Sequence, residues 1–222
     1  MRRRSSVLFV ALLTLVATSG CGSTTPTAST ASRSGATTTT SPIVVPTVHV
    51  HRAHHGGVLV IGDSLTVGAN SAGLTRLLQA DGWTVEVDAS EGRSTHTGVI
   101  ETESRTTVPA LVVVELGTNP SSAIGSFPSE IAAMVDELKA AGAQRIVWVT
   151  LHYRDDDRYS DKNIAIAGAA AADPTLVVAD WDAIASPHPE WMRADGLHYT
   201  DAGYLQLAAF LTDDIDANDP TP

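Results

Sequence analysis

Cysteine is almost missing from the 222 residues: Cys21 stands alone. That excludes an intramolecular disulfide and any cysteine-based zinc site. No acidic residue precedes Asp63, so residues 1 to 56, with five arginines, carry +5 of a total of -11 and leave -16 on the remainder. So negative a domain repels phosphate backbones, and non-specific nucleic-acid binding is disfavoured. A membrane-length apolar run is lacking too. The N-terminal stretch Val7 to Ala17 has 11 residues, well short of the roughly 20 that cross a bilayer as a helix. No internal repeat is visible. What remains is a globular balance of 43% hydrophobic and 18% charged residues, and a length that suits one compact domain with extensions.

Basic Met1 to Arg4, the apolar run and then Thr18-Ser19-Gly20-Cys21 read as a signal peptide over residues 1–21. The segment resembles a bacterial lipoprotein signal, in which the cysteine is acylated, although Thr18 departs from the usual aliphatic residue. Anchoring through Cys21 on the extracytoplasmic face of a membrane is the expectation; secretion with a spare thiol is the alternative. Residues 22–56 hold 17 Ser, Thr or Pro among 35 and cannot build a core. They read as a flexible linker ending in His49, His51, His54 and His55. That cluster lacks a carboxylate or cysteine to complete a metal shell and reads as solvated.

From residue 57 the chain alternates β-branched runs (Val58–Ile61, Thr84–Val87, Leu111–Leu116, Arg145–Thr150, Thr175–Val178) with helical patterns. This predicts a three-layer α/β/α sandwich on a five-stranded, mostly parallel sheet over residues 57–217, with a polar tail over 218–222. Thr66 to Gln79 reads as one helix. Ser126 opens another, with Pro128 early and Ile131, Met134, Val135 and Leu138 on one face, closed by Gly142. A last helix after Thr200-Asp201 is expected to turn Leu205, Ala208, Ala209 and Leu211 inward.

Ser64, in Gly62-Asp63-Ser64-Leu65, falls on a strand-to-helix turn at the carboxyl end of the first strand, where reactive loops gather. Its hydroxyl can act as a nucleophile and its own amide can face an oxyanion; the plainer role there is an N-cap. Asp195-Gly196-Leu197-His198 supplies the base a serine needs and an acid to orient it.

Gly-Asp-Ser-Leu near the start and Asp-x-x-His near the end resemble the SGNH or GDSL hydrolases. Ser90-Glu91-Gly92-Arg93 resembles their glycine block and Gly117-Thr118-Asn119 their asparagine block. The resemblance spans residues 58 to about 212 and implies a flavodoxin-like sandwich and a serine esterase. It makes Ser64 the nucleophile, His198 the general base and Asp195 its partner, with the Ser64 and Gly92 amides and the Asn119 side chain as oxyanion hole. Pro120 stands where most of the family has an aspartate, so the hydrogen bonds of that loop must differ. Asp180-Trp181-Asp182 and His188-Pro189-Glu190-Trp191 are similar to the SGNH domains of bacterial cell-envelope O-acyltransferases, which points to acetyl groups on glycans.

Arg93 and Trp191 are candidate substrate contacts: a guanidinium fork for a sugar or carboxylate, and, with Trp181, a platform for a sugar ring. An ion pair and a core wall are the alternatives. Asp63 is expected to accept backbone hydrogen bonds beneath the nucleophile. Asp180 and Asp182 are possible stand-ins for Asp195, or capping groups. His96 and His152 fall on loops near the mouth, and Asp155-Asp156-Asp157 reads as a solvated turn rather than a calcium loop. The whole predicts an exported, lipid-anchored serine esterase needing no metal or organic cofactor, acting on small acyl esters of envelope carbohydrate. O-acetyl transfer to a sugar hydroxyl, non-catalytic glycan binding and long-chain lipase activity are the alternatives.

Overall fold

The computed structural model describes residues 56–121, 126–154 and 157–220. The leader, Cys21, the linker histidines, and Asp155 and Asp156 lie outside the described residues. Five strands form one sheet: β1 (Gly57–Gly62), β2 (Thr84–Ala89), β3 (Leu111–Glu115), β4 (Arg145–Val149) and β5 (Leu176–Ala179). Their order is β2-β1-β3-β4-β5 and every pairing is parallel. This is the flavodoxin-like order, whose direction of winding reverses between β1 and β3. The central strands are apolar on both faces because helices cover both sides. One face of the sheet (Val58, Val60, Leu111, Val113, Val147) packs on α1 (Ser64–Ala72), α2 (Leu74–Ala80), α6 (Trp181–Ala185) and α7 (Asp201–Ala217). The other (Leu59, Ile61, Val112, Val114, Ile146, Trp148) packs on α3 (Thr95–Glu103), α4 (Phe127–Ala140) and α5 (Ser160–Ala172).

Helix α4 matches its sequence pattern: Ser126 and Ser129 form a capping box, Pro128 lies in the first turn, and Ile131, Met134, Val135 and Leu138 are buried. The single helix expected over 66–79 is two, because Gly73 at φ 120° breaks it. Only glycine takes that backbone cheaply. Helix α7 is rotated from the expected phase. Leu205 is 50% exposed and Ala209 is exposed, while Tyr204, Leu207, Ala208, Leu211 and Ile215 are buried. Tyr204 fits because α1 offers Gly68 opposite it: a Cβ on Gly68 would stand 2.1 Å from the ring. Asp216 lies within the last helical turn and accepts the Trp83 indole N–H at 2.7 Å.

The register of the sheet aligns its loops. Gly62 pairs with Ala89 on one side and with Glu115 on the other, so the loops leaving β1, β2 and β3 start at one level of the carboxyl edge.

Candidate active site

Ser64 is the first residue of α1, and the capping role falls to Asp63, whose Oδ1 accepts the Leu65 amide at 2.9 Å. As first helical residue, Ser64 has no intrahelical acceptor for its own N–H. Its Oγ lies 3.1 Å from Nε2 of His198.

His198 arrives from the other end of the chain. Residues 192 to 199 double back, with Met192 bridging Tyr199 and the Arg193 amide donating to the His198 carbonyl at 2.7 Å. Gly196, at φ 75°, makes the reversal. Asp195 thereby turns under the imidazole: Oδ2 lies 2.9 Å from Nδ1, while Oδ1 accepts the Leu197 and His198 amides, each at 2.9 Å. Burial opposes its ionisation, but the two amides and the ring outweigh it and hold Asp195 at about 2. The Tyr153 hydroxyl donates to the Asp195 carbonyl at 2.7 Å and the Arg154 amide to the Gly196 carbonyl at 2.9 Å, tying this turn to the loop after β4. The expected serine, histidine and aspartate thus form one hydrogen-bonded chain.

Gly92 sits at φ 74° beside Ser64, and a Cβ there would meet nothing within 4 Å. Open space therefore faces the glycine loop. Asn119 reaches the same cleft but is doubly engaged, since Nδ2 donates to Asp63 Oδ2 at 2.9 Å and to the Arg93 carbonyl at 3.1 Å. An amide nitrogen has two hydrogens, so to serve an oxyanion Asn119 must release one partner. Asp63 is the hub of these loops. Fully buried, it accepts the Leu65 amide, the Thr118 hydroxyl and the Asn119 amide, and burial pushes its pKa up against those donors. Below it Glu115 accepts the Thr66 hydroxyl at 2.7 Å; burial first, and Asp63 second, push its pKa well above the usual carboxylate range.

The cleft holds about 820 Å³ and runs from Ser64, Gly92, Asn119 and His198 between α1 and α7, past Val67, Ser71, Tyr204 and Leu205. Glu91, Arg193 and Asp201 bring charge to it. The Arg193 guanidinium lies 5.7 Å from the centre of the Tyr204 ring. Nothing in the sequence pattern singled out Arg193 or Tyr204, because each owes its place to the reversal before α7 and to the rotation of that helix.

Several candidates lie elsewhere. Arg93, expected at the substrate, is only 7% exposed and is tied to Asp88 at 2.6 Å and Glu101 at 2.9 Å. Its charge is spent inside the protein. Trp191, the other proposed contact, is sandwiched between Trp181, 6.0 Å away, and His188, 3.9 Å away, and walls the core. His152 does not line the cleft, and its Nδ1 lies 2.7 Å from Asp182. Asp180 caps α6, so neither acid replaces Asp195. His96 lies on α3, away from the cleft lining.

The sequence model of the GDSL-like lipase/acylhydrolase family matches residues 60–205. No curated protein matches the chain. Among solved structures, the catalytic domain of peptidoglycan O-acetyltransferase A (OatA) from Streptococcus pneumoniae aligns with a TM-score of 0.62 and 23% identity, over 75% of this chain and 96% of that one. The family 3 carbohydrate esterase of Clostridium thermocellum aligns at 0.58 and 18%, over 73% and 97%. The esterase EstA of a Pseudoalteromonas species aligns at 0.58 and 17%, over 72% and 97%. At these identities the likeness is one of fold.

Proposed function

The chain belongs to the GDSL-like lipase/acylhydrolase family and is a carboxylic ester hydrolase, and from that premise we propose that it is an exported serine esterase removing small acyl groups, O-acetyl above all, from cell-envelope carbohydrate. The observation that carries the proposal is the hydrogen-bonded chain from Ser64 through His198 to Asp195 at the head of an open cleft. In this reading the Ser64 hydroxyl donates to Nε2 while Nδ1–H donates to Asp195, which fixes the imidazole tautomer that can accept a proton. His198 takes that proton as Oγ attacks the ester carbonyl, and returns it to the departing alcohol. An acyl-enzyme is left. Water, deprotonated by the same imidazole, then releases the acid.

The amides of Ser64 and Gly92 are the primary oxyanion donors. Asn119 contributes the third once one of its two present bonds yields; such a donor typically lowers the barrier by about 3 to 4 kcal/mol. No metal or organic cofactor enters these steps. The cleft volume suits a sugar-sized group, and its mixed charge and apolar walls suit an acylated glycan more than a long acyl chain. The fold likeness to a peptidoglycan O-acetyltransferase domain and to a carbohydrate esterase supports the same substrate class. It also supports the second reading, transfer of the acyl group to a sugar hydroxyl. Export and acylation at Cys21 belong to the proposal; palmitate labelling lost in Cys21→Ala would support the anchor.

The test is turnover of nitrophenyl esters of increasing acyl length beside Ser64→Ala, and then of acetylated glycan. Acetyl ester hydrolysis that disappears in the variant, with acetate released from the glycan, is the expected result. Acetate passed to an added sugar without net release replaces hydrolysis by transfer. Equal turnover by Ser64→Ala would overturn the mechanism.

A further inference from the structure

Pro120 leaves the Asn119 loop without a backbone N–H at that position and without a side-chain acceptor. The loop nevertheless has a fixed path. Gly117 sits at φ 135°, where a Cβ would collide with Leu151 and Phe127 at 2.8 and 2.9 Å. Its carbonyl accepts the ammonium of Lys162, and the next carbonyl, of Thr118, accepts the Tyr159 hydroxyl at 3.2 Å. Both donors come from the start of α5, more than 40 residues along the chain.

Lys162 is an unusual residue for this duty. Half-buried, with its ammonium 5.0 Å from the Phe127 ring centre and 5.7 Å from that of Tyr159, it has its pKa lowered by desolvation and partly restored by Glu130. Glu130 is itself buried, with Oε1 lacking a hydrogen-bond partner. A desolvated cation without a carboxylate in direct contact is costly to keep. Here the cation is aimed at a backbone carbonyl two residues before Asn119.

We propose that Lys162, with Tyr159, is the positioning brace of the oxyanion hole: it holds the Gly117–Asn119 backbone so that the Asn119 amide stays between Asp63 and the glycine loop, within reach of the developing oxyanion. This rests on the proposed esterase activity. The path of action is continuous. Lys162 and Tyr159 fix two successive carbonyls, Thr118 turns its hydroxyl onto Asp63, and Asn119 bonds both Asp63 and the Arg93 carbonyl next to Gly92. The brace touches no substrate and acts through Asn119 alone.

A double-substitution cycle on acetyl ester turnover separates this role from a general structural one. Removing an oxyanion donor costs about 100-fold or more in kcat, and loosening one costs a part of that. Lys162→Met is therefore expected to lower kcat about tenfold, with KM moving less than about twofold, and Lys162→Arg to regain most of the loss. In an Asn119→Ala background Lys162→Met should add almost nothing, because the group it positions is gone. An equal further loss there, a change in KM alone, or undiminished kcat would each overturn the brace. Should Lys162→Met fold poorly, Tyr159→Phe removes only a hydroxyl and runs the same cycle, with an expected loss of about threefold. Absence of ester turnover by the unaltered protein would sink the esterase reading and the brace together, whereas turnover indifferent to both substitutions would sink only the brace.

Discussion

Gly68→Ala tests whether the meeting of α1 and α7 sets the catalytic geometry. Helix propensity alone favours alanine by about 1 kcal/mol, so an isolated α1 would gain stability. Packing opposes it. The new Cβ would sit 2.1 Å from the Tyr204 ring, against ordinary contact at 3.4 Å or more, so about 1.3 Å must open between the helices. Tyr204 has little room to retreat, being 7% exposed and edge-on to the fully buried Tyr199 ring at 5.5 Å. Overpacking of this kind costs about 1 to 3 kcal/mol, which leaves a net loss of up to about 2 kcal/mol and a Tm up to about 8 °C lower for a domain of this size. Ser64 rides on α1 and His198 lies just before α7, so part of that opening enters their 3.1 Å contact. A misplacement approaching 1 Å costs up to about 100-fold in rate, and kcat for an acetyl ester should fall by about 10- to 100-fold. Thermal unfolding and ester turnover measure both, and Tyr204→Leu in the same chain should recover part of each. A raised Tm with full activity would refute the reasoning, showing that propensity wins and that the helices do not set the contact.

Asp195→Asn is expected to lower kcat by about 100- to 10,000-fold, the range for losing the acceptor that fixes the imidazole tautomer. Because Asp195 is held at about 2, it stays ionised across about pH 5 to 8, so the loss in Asp195→Asn should persist undiminished over that whole range; a loss confined to one end of it would contradict this. Glu115→Gln tests the buried acid. A carboxyl whose folded pKa is raised keeps its proton more tightly folded than unfolded, so wild-type stability should decline as pH rises above 4.5 toward the folded value. The variant should decline less between about pH 5 and 8 in urea midpoints; parallel curves would show that Glu115 does not titrate there. Arg93→Met should lower stability by about 1 to 3 kcal/mol, since its partners Asp88 and Glu101 are themselves partly exposed, and should leave KM for a sugar acetate within about twofold. A tenfold rise in KM would return Arg93 to the substrate.

The three central strands were legible because each buries both faces and therefore reads as a β-branched run; Leu111 to Glu115 is 0 to 3% exposed throughout. Helix α4 was legible because its cap, proline and apolar spacing agree. Helix α5 was not: it is alanine-rich with one fully buried residue, Ile166, and shows no stripe. The Thr66 to Gln79 reading failed at Gly73, whose left-handed backbone looks in sequence like a tolerated helical glycine. Ser64, His198 and Asp195 were readable because the motif residues themselves meet, with Gly196 reversing the chain between two of them. Arg93 and Trp191 misled because neighbours in sequence need not face the same way. Arg93 lies next to Gly92, yet its side chain turns behind the sheet edge toward Asp88. The carbonyls that Lys162 and Tyr159 grip carry no side-chain signature at all, so only the folded chain brings that pairing to light.

The separation of 134 positions from Ser64 to His198 also has a temporal meaning. A chain emerging from synthesis or threading through an export pore presents its nucleophile first and its base last, with every strand after the first laid down between them. Until α7 docks on α1, the serine is an inert alcohol. On the proposed mechanism, a chain whose last helix has not docked holds the serine without its base. Regain of turnover during refolding should accordingly lag the recovery of helical signal, making activity a clock for the closing of the two ends.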